Sequence, residues 1–274
     1  MSYLKGILDK KYVFWVIESF FLNPVGHKNI FIMGNEVTKW NKIIYSIMNL
    51  PGIKVDRVAF LVEALRPHCT ETERKKAALQ RPIDVIPLKL INQLATDCIN
   101  EHTKKATIFS TVAGVPGGIA VFFAIPADLL QYFCQTLIIA QKLAYLYGYP
   151  DLCDQNGHLT ESSYDVLTIF LGVMLGSSTA NEAFKQLSET FAEHTTMSMP
   201  QVSVTETMWY PLVKGVSKWV RTKFVKGSVT KRLSKAVPVI GGVVAGFLTY
   251  KTFKPNAKRL KKQMQANAML FKSV

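Results

Sequence analysis

Apolar residues recur at helical spacing along most of this 274-residue sequence, and no stretch alternates apolar with polar residues as a half-buried strand would. The pattern predicts an all-α chain, a multi-helix bundle with Gly/Pro-broken apolar helical hairpins. Glu36 to Leu50 sets Val37, Trp40, Ile44 and Ile47 on one face and stops at Pro51-Gly52; Val55 to Leu65 follows and ends before Pro67. Thr70 and Glu73 have the spacing of a capping box, in which hydroxyl and carboxylate satisfy free amides at a helix start, so an exposed, charged helix is expected to about Gln80. Arg81 to Pro87 holds two prolines and reads as a joint. Leu88 to Lys105 is amphipathic and leads into the longest apolar region, Ala106 to Gln141, whose only charge is Asp128. Past a loop from Pro150 to Gly157, helices are expected over Glu161 to Leu175, with Thr160 as cap, and over Thr179 to His194. Four regions follow: an N-terminal helical region (1–80), a helical core with an apolar hairpin (81–194), a linker (195–206) and a basic C-terminal region (207–274).

Charge is segregated along the chain. Residues 207–274 carry fifteen Lys and Arg and no Asp or Glu, while residues 1–206 hold eighteen basic against nineteen acidic side chains, so the whole +14 excess belongs to the C-terminal region. The cations bracket an uncharged, Gly-rich apolar stretch, Ala236 to Tyr250. An anionic bilayer surface suits such a segment, because each Lys or Arg held near it contributes on the order of 1 kcal/mol. Lys218, Arg221, Lys223, Lys226, Lys231, Arg232 and Lys235, with Trp209 and Trp219 as interfacial anchors, are the candidate membrane-contact residues. The same lysines could track a nucleic-acid backbone, but duplex binding has no use for the apolar stretch between them, so nucleic acid is not the expected partner.

Three glycine pairs four residues apart, Gly114 and Gly118, Gly172 and Gly176, Gly242 and Gly246, would let a neighbouring backbone approach, either inside a protein core or within lipid. The run Ala106 to Ala127 is long enough to cross a bilayer, but Gly114, Pro116, Gly117, Gly118 and Pro126 interrupt it, which favours a hairpin bent near Val115 to Gly118. Ala236 to Tyr250 is too short to cross unaided and suits an interfacial or re-entrant position.

The segment HTKKATIFSTVAGVPGGIAVFFAIPADLLQYFCQTLIIAQKLAYLYGYPD (102–151) resembles the EcsC family of bacterial proteins in its basic helix end, Pro-Gly-Gly turn, Ile-Pro-Ala-Asp step, long helix and closing Tyr-Gly pair. A second similar segment is SKAVPVIGGVVAGFLTYKTFKPNAKRLKK (234–262), and the resemblance covers residues 80 to 265. Its motif positions here are Pro116, Gly117, Gly118, Pro126, Asp128, Tyr147 and Gly148. The resemblance implies a helical, membrane-associated bacterial protein of unsettled activity.

Candidate chemistry is sparse. Asp128, Gln131, Gln135 and Lys142 form a polar seam along one apolar helix, and with Tyr147 they are the candidate ligand-binding residues. A helix-cap role for Asp128 and a solvated face for the seam explain the same spacing. Tyr145, Tyr147 and Tyr149 suit a core edge or a membrane interface. The segment Asp151 to Glu161 fails as a calcium loop, since aligning Gly157 with the required glycine puts Leu152 and Ser163 where ligands must stand. His158 with Cys153, and His68 with Cys69, lack a second ligand pair, and His27, His102 and His194 stand isolated, so no metal, no cofactor and no catalytic residue is assigned. No GxSxG, phosphate-binding or dinucleotide-binding glycine motif occurs. Cys69, Cys98, Cys134 and Cys153 are widely spaced, as expected of reduced thiols, and the N-terminus lacks a cleavage site, so export is not expected.

The expectation is a non-enzymatic accessory or effector protein on the cytoplasmic face of the inner membrane, peripheral or monotopic, acting on the bilayer or on a membrane protein such as a transporter. A soluble lipid or small-molecule binder with a pocket near Asp128 is the alternative, and a nucleic-acid binder the third.

Overall fold

The computed structural model describes residues 36–113, 127–154, 157–193, 197, 199, 210–223 and 241–272; the side chains of 36–39, 109–113, 127–130, 210, 241–248 and 272 are not among those described. Among these residues the chain is all-α, with no strand and one isolated bridge between Cys153 and Leu159. The helices are α1 (Glu36–Met48), α2 (Arg57–Leu65), α3 (Glu71–Leu79), α4 (Pro82–Val85), α5 (Leu88–Ala113), α6 (Ala127–Leu146), α7 (Glu161–Met174), α8 (Ser178–Glu193), α9 (Tyr210–Arg221) and α10 (Gly241–Asn267), followed by a 3-10 turn at Leu270–Lys272.

Local chemistry sets several of these boundaries. Asp56 accepts a hydrogen bond from the Ala59 amide at the start of α2, and Thr160 accepts one from the Ser163 amide at the start of α7. The capping box at Thr70 and Glu73 is complete in both directions. Each such cap stabilises its helix by about 1 kcal/mol. The ends of α6 and α7 share one device. Gly148 and Gly176, at φ +87° and +84°, take the left-handed conformation that closes a helix. Tyr149 then donates to the Ala144 carbonyl and Ser177 to that of Gly172, satisfying carbonyls the helix leaves free.

Helix α7 is buried on every side: from Ser162 to Met174 only Tyr164 keeps partial exposure. Apart from Ser162, Ser163, Asp165 and Thr168 it is apolar all round, as a central helix must be, and α1, α6, α8, α9 and α10 pack against it. Gly172 makes two of those approaches possible, because a Cβ there would stand 2.6 Å from both Ala180 Cβ and Val216 Cγ1. Gly176 does not share its helical face, contrary to the four-residue spacing; it lies past the helix end as the closing residue.

The most extensive packing joins α5 and α10. Thr249, Phe253, Ala257, Leu260, Met264 and Ala268 repeat every three or four residues and are buried, so the cationic C-terminal region supplies an integral core helix. Pro255 lies inside α10 on its exposed side. The uncharged stretch up to Tyr250 supplies the first turns of this 27-residue helix from Gly241 onward. Val213, Val216 and Val220 likewise turn the apolar face of α9 into the core. Residues drawn from 40 to 271 form one buried apolar cluster. None of the helices among the described residues is long and apolar enough to cross a membrane.

Candidate functional site

Side-chain pairs fix how α5, α6 and α10 run. Asn92 meets Tyr147 (2.6 Å) and His102 meets Gln135 (2.8 Å), so α5 and α6 are antiparallel. Lys261 Nζ donates to Thr96 Oγ1 at 2.6 Å and Arg81 reaches the Phe271 carbonyl, so α5 and α10 are antiparallel too. Asn256 donates to the Tyr132 hydroxyl at 2.9 Å, tying α10 to α6. The last turns of α5 and the first turns of α6 and α10 therefore share one end of this three-helix group. Arg81, Gly148 and Phe271 mark the other.

Part of the polar seam of α6 meets α5. Gln135 is buried, and its Oε1 accepts from Nδ1 of His102, itself 3% exposed. The hydrogen-bond network thereby assigns the proton to Nδ1 and a lone pair to Nε2, which has no partner. Burial, with the nearby Lys142 charge, pulls the His102 pKa down to about 4, so the ring is neutral at pH 7. His102 is thus not isolated, as sequence spacing made it; its partner lies on the next helix. Lys142 is half-buried with Nζ 5.2 Å from the centre of the Phe60 ring, and burial lowers its pKa. Cys98, one turn from His102, is pushed up to about 11 by burial and is an unreactive thiol at neutral pH. Gln131 is half-buried, while Asp128, in the first turn of α6, has its side chain outside the described residues. Tyr147 is fully buried and donates to Asn92, and Tyr145 and Tyr149 are as deep, so all three belong to the core itself.

Of the membrane-contact candidates, Lys218 is exposed, Arg221 is partly so, and Lys223 lies over the half-buried Trp219 ring at 5.3 Å. Trp209, Lys226, Lys231, Arg232 and Lys235 lie outside the described residues, as do Gly114, Pro116, Gly117, Gly118 and Pro126. Gly242 and Gly246 occupy the first two turns of α10. No group of three or more His, Cys, Asp or Glu among the described residues could hold a metal ion. All four cysteines are free.

Sequence reasoning missed three buried charged groups. Arg57 donates to the carbonyls of Ala78 and Gln80 at the end of α3, and Arg81 to those of Phe191 (2.8 Å) and Ala192 (3.3 Å) at the end of α8. Both guanidinium groups thus satisfy helix-end carbonyls and meet the negative pole of the dipole. Asp165, on α7, is fully buried; Asn41 approaches it without reaching hydrogen-bond geometry, and burial pushes its pKa up to about 7. An acid inside a helix that is apolar on all sides was the available signal for that one.

No family profile, no curated protein and no solved structure matches this chain.

Proposed function

We propose that this is a membrane-associated, non-catalytic accessory or effector protein of the EcsC type, working at the inner leaflet of a bacterial membrane on the bilayer or on a membrane protein such as a transporter. One observation carries the reading: α9 and α10 spend their apolar faces on the core and leave Lys214, Lys218, Lys251, Lys258 and Lys262 exposed. These cations belong to a region of the sequence without one acid, which concentrates positive charge on these two helices. Cations fixed on packed helices lose little further freedom on meeting a surface.

Fractionation of bacteria producing the protein tests this. Sedimentation with membranes at low salt and release at high salt is the expected result, because exposed charges are screened within about 10 Å at 0.1 M salt. Recovery of the whole pool in the supernatant at low salt would overturn the proposal.

The soluble lipid or small-molecule binder is the second reading, and His102 favours it: a buried imidazole nitrogen without a partner is an acceptor to which a ligand could donate. Under that reading, adding lipid extract shifts the His102 ring resonances in the NMR spectrum. Unchanged resonances count against it.

A further inference from the structure

Resting on the membrane reading, we infer that the docking surface is one end of the bundle, where Ile108 and Tyr250 enter the interfacial layer of an anionic phospholipid bilayer and Lys104, Lys105, Lys251 and Lys254 form a collar over the headgroups.

The register of α5 against α10 supplies the geometry. From the Thr96–Lys261 bond, Ile108 lies twelve residues along α5 and Tyr250 eleven residues back along α10. At 1.5 Å of rise per residue these are about 18 Å and about 17 Å in the same direction, so both side chains lie at one depth. Each is a large apolar residue in water: Ile108 is 63% and Tyr250 43% exposed. Tyrosine, with an apolar ring and a polar tip, is a headgroup-level residue.

The charges are arranged for the same surface. On α5, Lys104 and Lys105 stand about one turn behind Ile108, both exposed. On α10, Lys251 is exposed, and the Lys254 ammonium sits over the Tyr250 ring at 5.5 Å. The same register puts these four lysines about 10 to 15 Å from the Thr96–Lys261 bond, within one helical turn of each other. Glu101 pairs with Lys105 from a further turn back, away from the tip. Ahead of the collar, α5 from Ala106 to Ala113 and α10 from Gly241 to Tyr250 contain no charged residue, and Asp128 is the one acid in the opening turn of α6. A cationic collar behind an apolar, tyrosine-bearing tip complements a bilayer whose negative phosphates lie above its acyl chains.

The test is co-sedimentation of the full chain with vesicles of mixed phosphatidylglycerol and phosphatidylcholine, against phosphatidylcholine alone. Three variants are compared: Ile108→Ser with Tyr250→Ser; Lys104→Gln, Lys105→Gln, Lys251→Gln and Lys254→Gln together; and, losing the same charge elsewhere, Lys75→Gln, Lys76→Gln, Lys89→Gln and Lys185→Gln. All the altered side chains are at least partly exposed, and equal melting temperatures establish that each variant folds. The expected result is that the first two sets lose at least about tenfold in binding to the mixed vesicles, while the third stays within about threefold of wild type. If wild type binds and the third set loses as much as the second, or the Ile108 and Tyr250 changes have no effect, attachment is by diffuse charge and end-on docking is wrong although the membrane reading stands. If wild type ignores both vesicles, or retards duplex DNA instead, the membrane reading falls and this inference with it.

Discussion

The same three helices, α5, α6 and α10, are finished in opposite ways at their two ends. At one end Tyr149 packs against Phe170, Phe184, Phe191 and Phe271 with ring centres 5.2–5.9 Å apart, and its hydroxyl meets Ser188 at 2.7 Å. Arg81 closes over that cluster, 5.0 Å above the Phe271 ring, and holds three backbone carbonyls. At the other end Ile108 and Tyr250 face outward with lysines behind them. Burial is complete around Tyr149, where the helices are held in register, and incomplete at Ile108 and Tyr250. The contrast separates what the aromatic and apolar residues of one rod are for: cohesion at one end, availability at the other.

The largest effect should come from breaking the closed end. Tyr149→Ala removes the ring on which four others rest and is expected to destabilise the protein by about 3–5 kcal/mol, read from urea unfolding. A loss below about 1 kcal/mol would mean that this end does not anchor the bundle. Arg81→Ala should follow at about 2–4 kcal/mol, since buried carbonyls at the end of α8 lose a charged donor. Arg81→Lys should restore little of it, because a single ammonium cannot span the three carbonyls that the planar guanidinium reaches.

Between the two ends lie two buried groups whose titrations oppose each other. Asp165, raised from 3.8 to about 7, favours the folded state when protonated; its contribution is full below pH 3.8 and lost as pH rises through 7. His102, lowered from 6.5 to about 4, favours it when neutral; its contribution is full above pH 6.5 and lost as pH falls toward 4. The slopes cancel in part between pH 4 and 6.5. Asp165→Asn leaves the histidine unopposed, so stability should rise across that window by as much as about 3 kcal/mol. Denaturant midpoints measured at several pH values check this, and a profile as flat as wild type would refute it.

The smallest effect belongs to the open end. Ile108→Ser should shift unfolding by no more than about 0.5 kcal/mol, for the side chain is 63% exposed. A melting temperature several degrees lower would show that Ile108 supports the fold, and the difference between the ends would shrink accordingly.

Helix positions were legible in the sequence wherever a local signal existed. The Thr70–Glu73 box, the Thr160 cap and Gly148 act within a few residues of themselves, and the structure places helix ends beside them. Pairing across helices was not legible. His102 and Gln135 are 33 positions apart, and nothing in either segment names the other. Arg81 stood in a stretch that two prolines made a joint, yet it bonds carbonyls more than a hundred residues away. Composition alone likewise set the basic C-terminal region apart as a separate unit. The three-to-four-residue rhythm of Phe253, Ala257, Leu260 and Met264 was present in it all along, and that rhythm puts α10 in the core.

The bond between Lys261 and Thr96 spans 165 residues. At roughly 5–20 residues per second of synthesis, the stripe on α5 would be made about ten to thirty seconds before the helix that covers it. During that interval the buried α5 residues that pack on α10 lack their final cover in the growing chain. A nascent-chain chaperone, or transient pairing with α6, is what would shield them until the ribosome delivers α10.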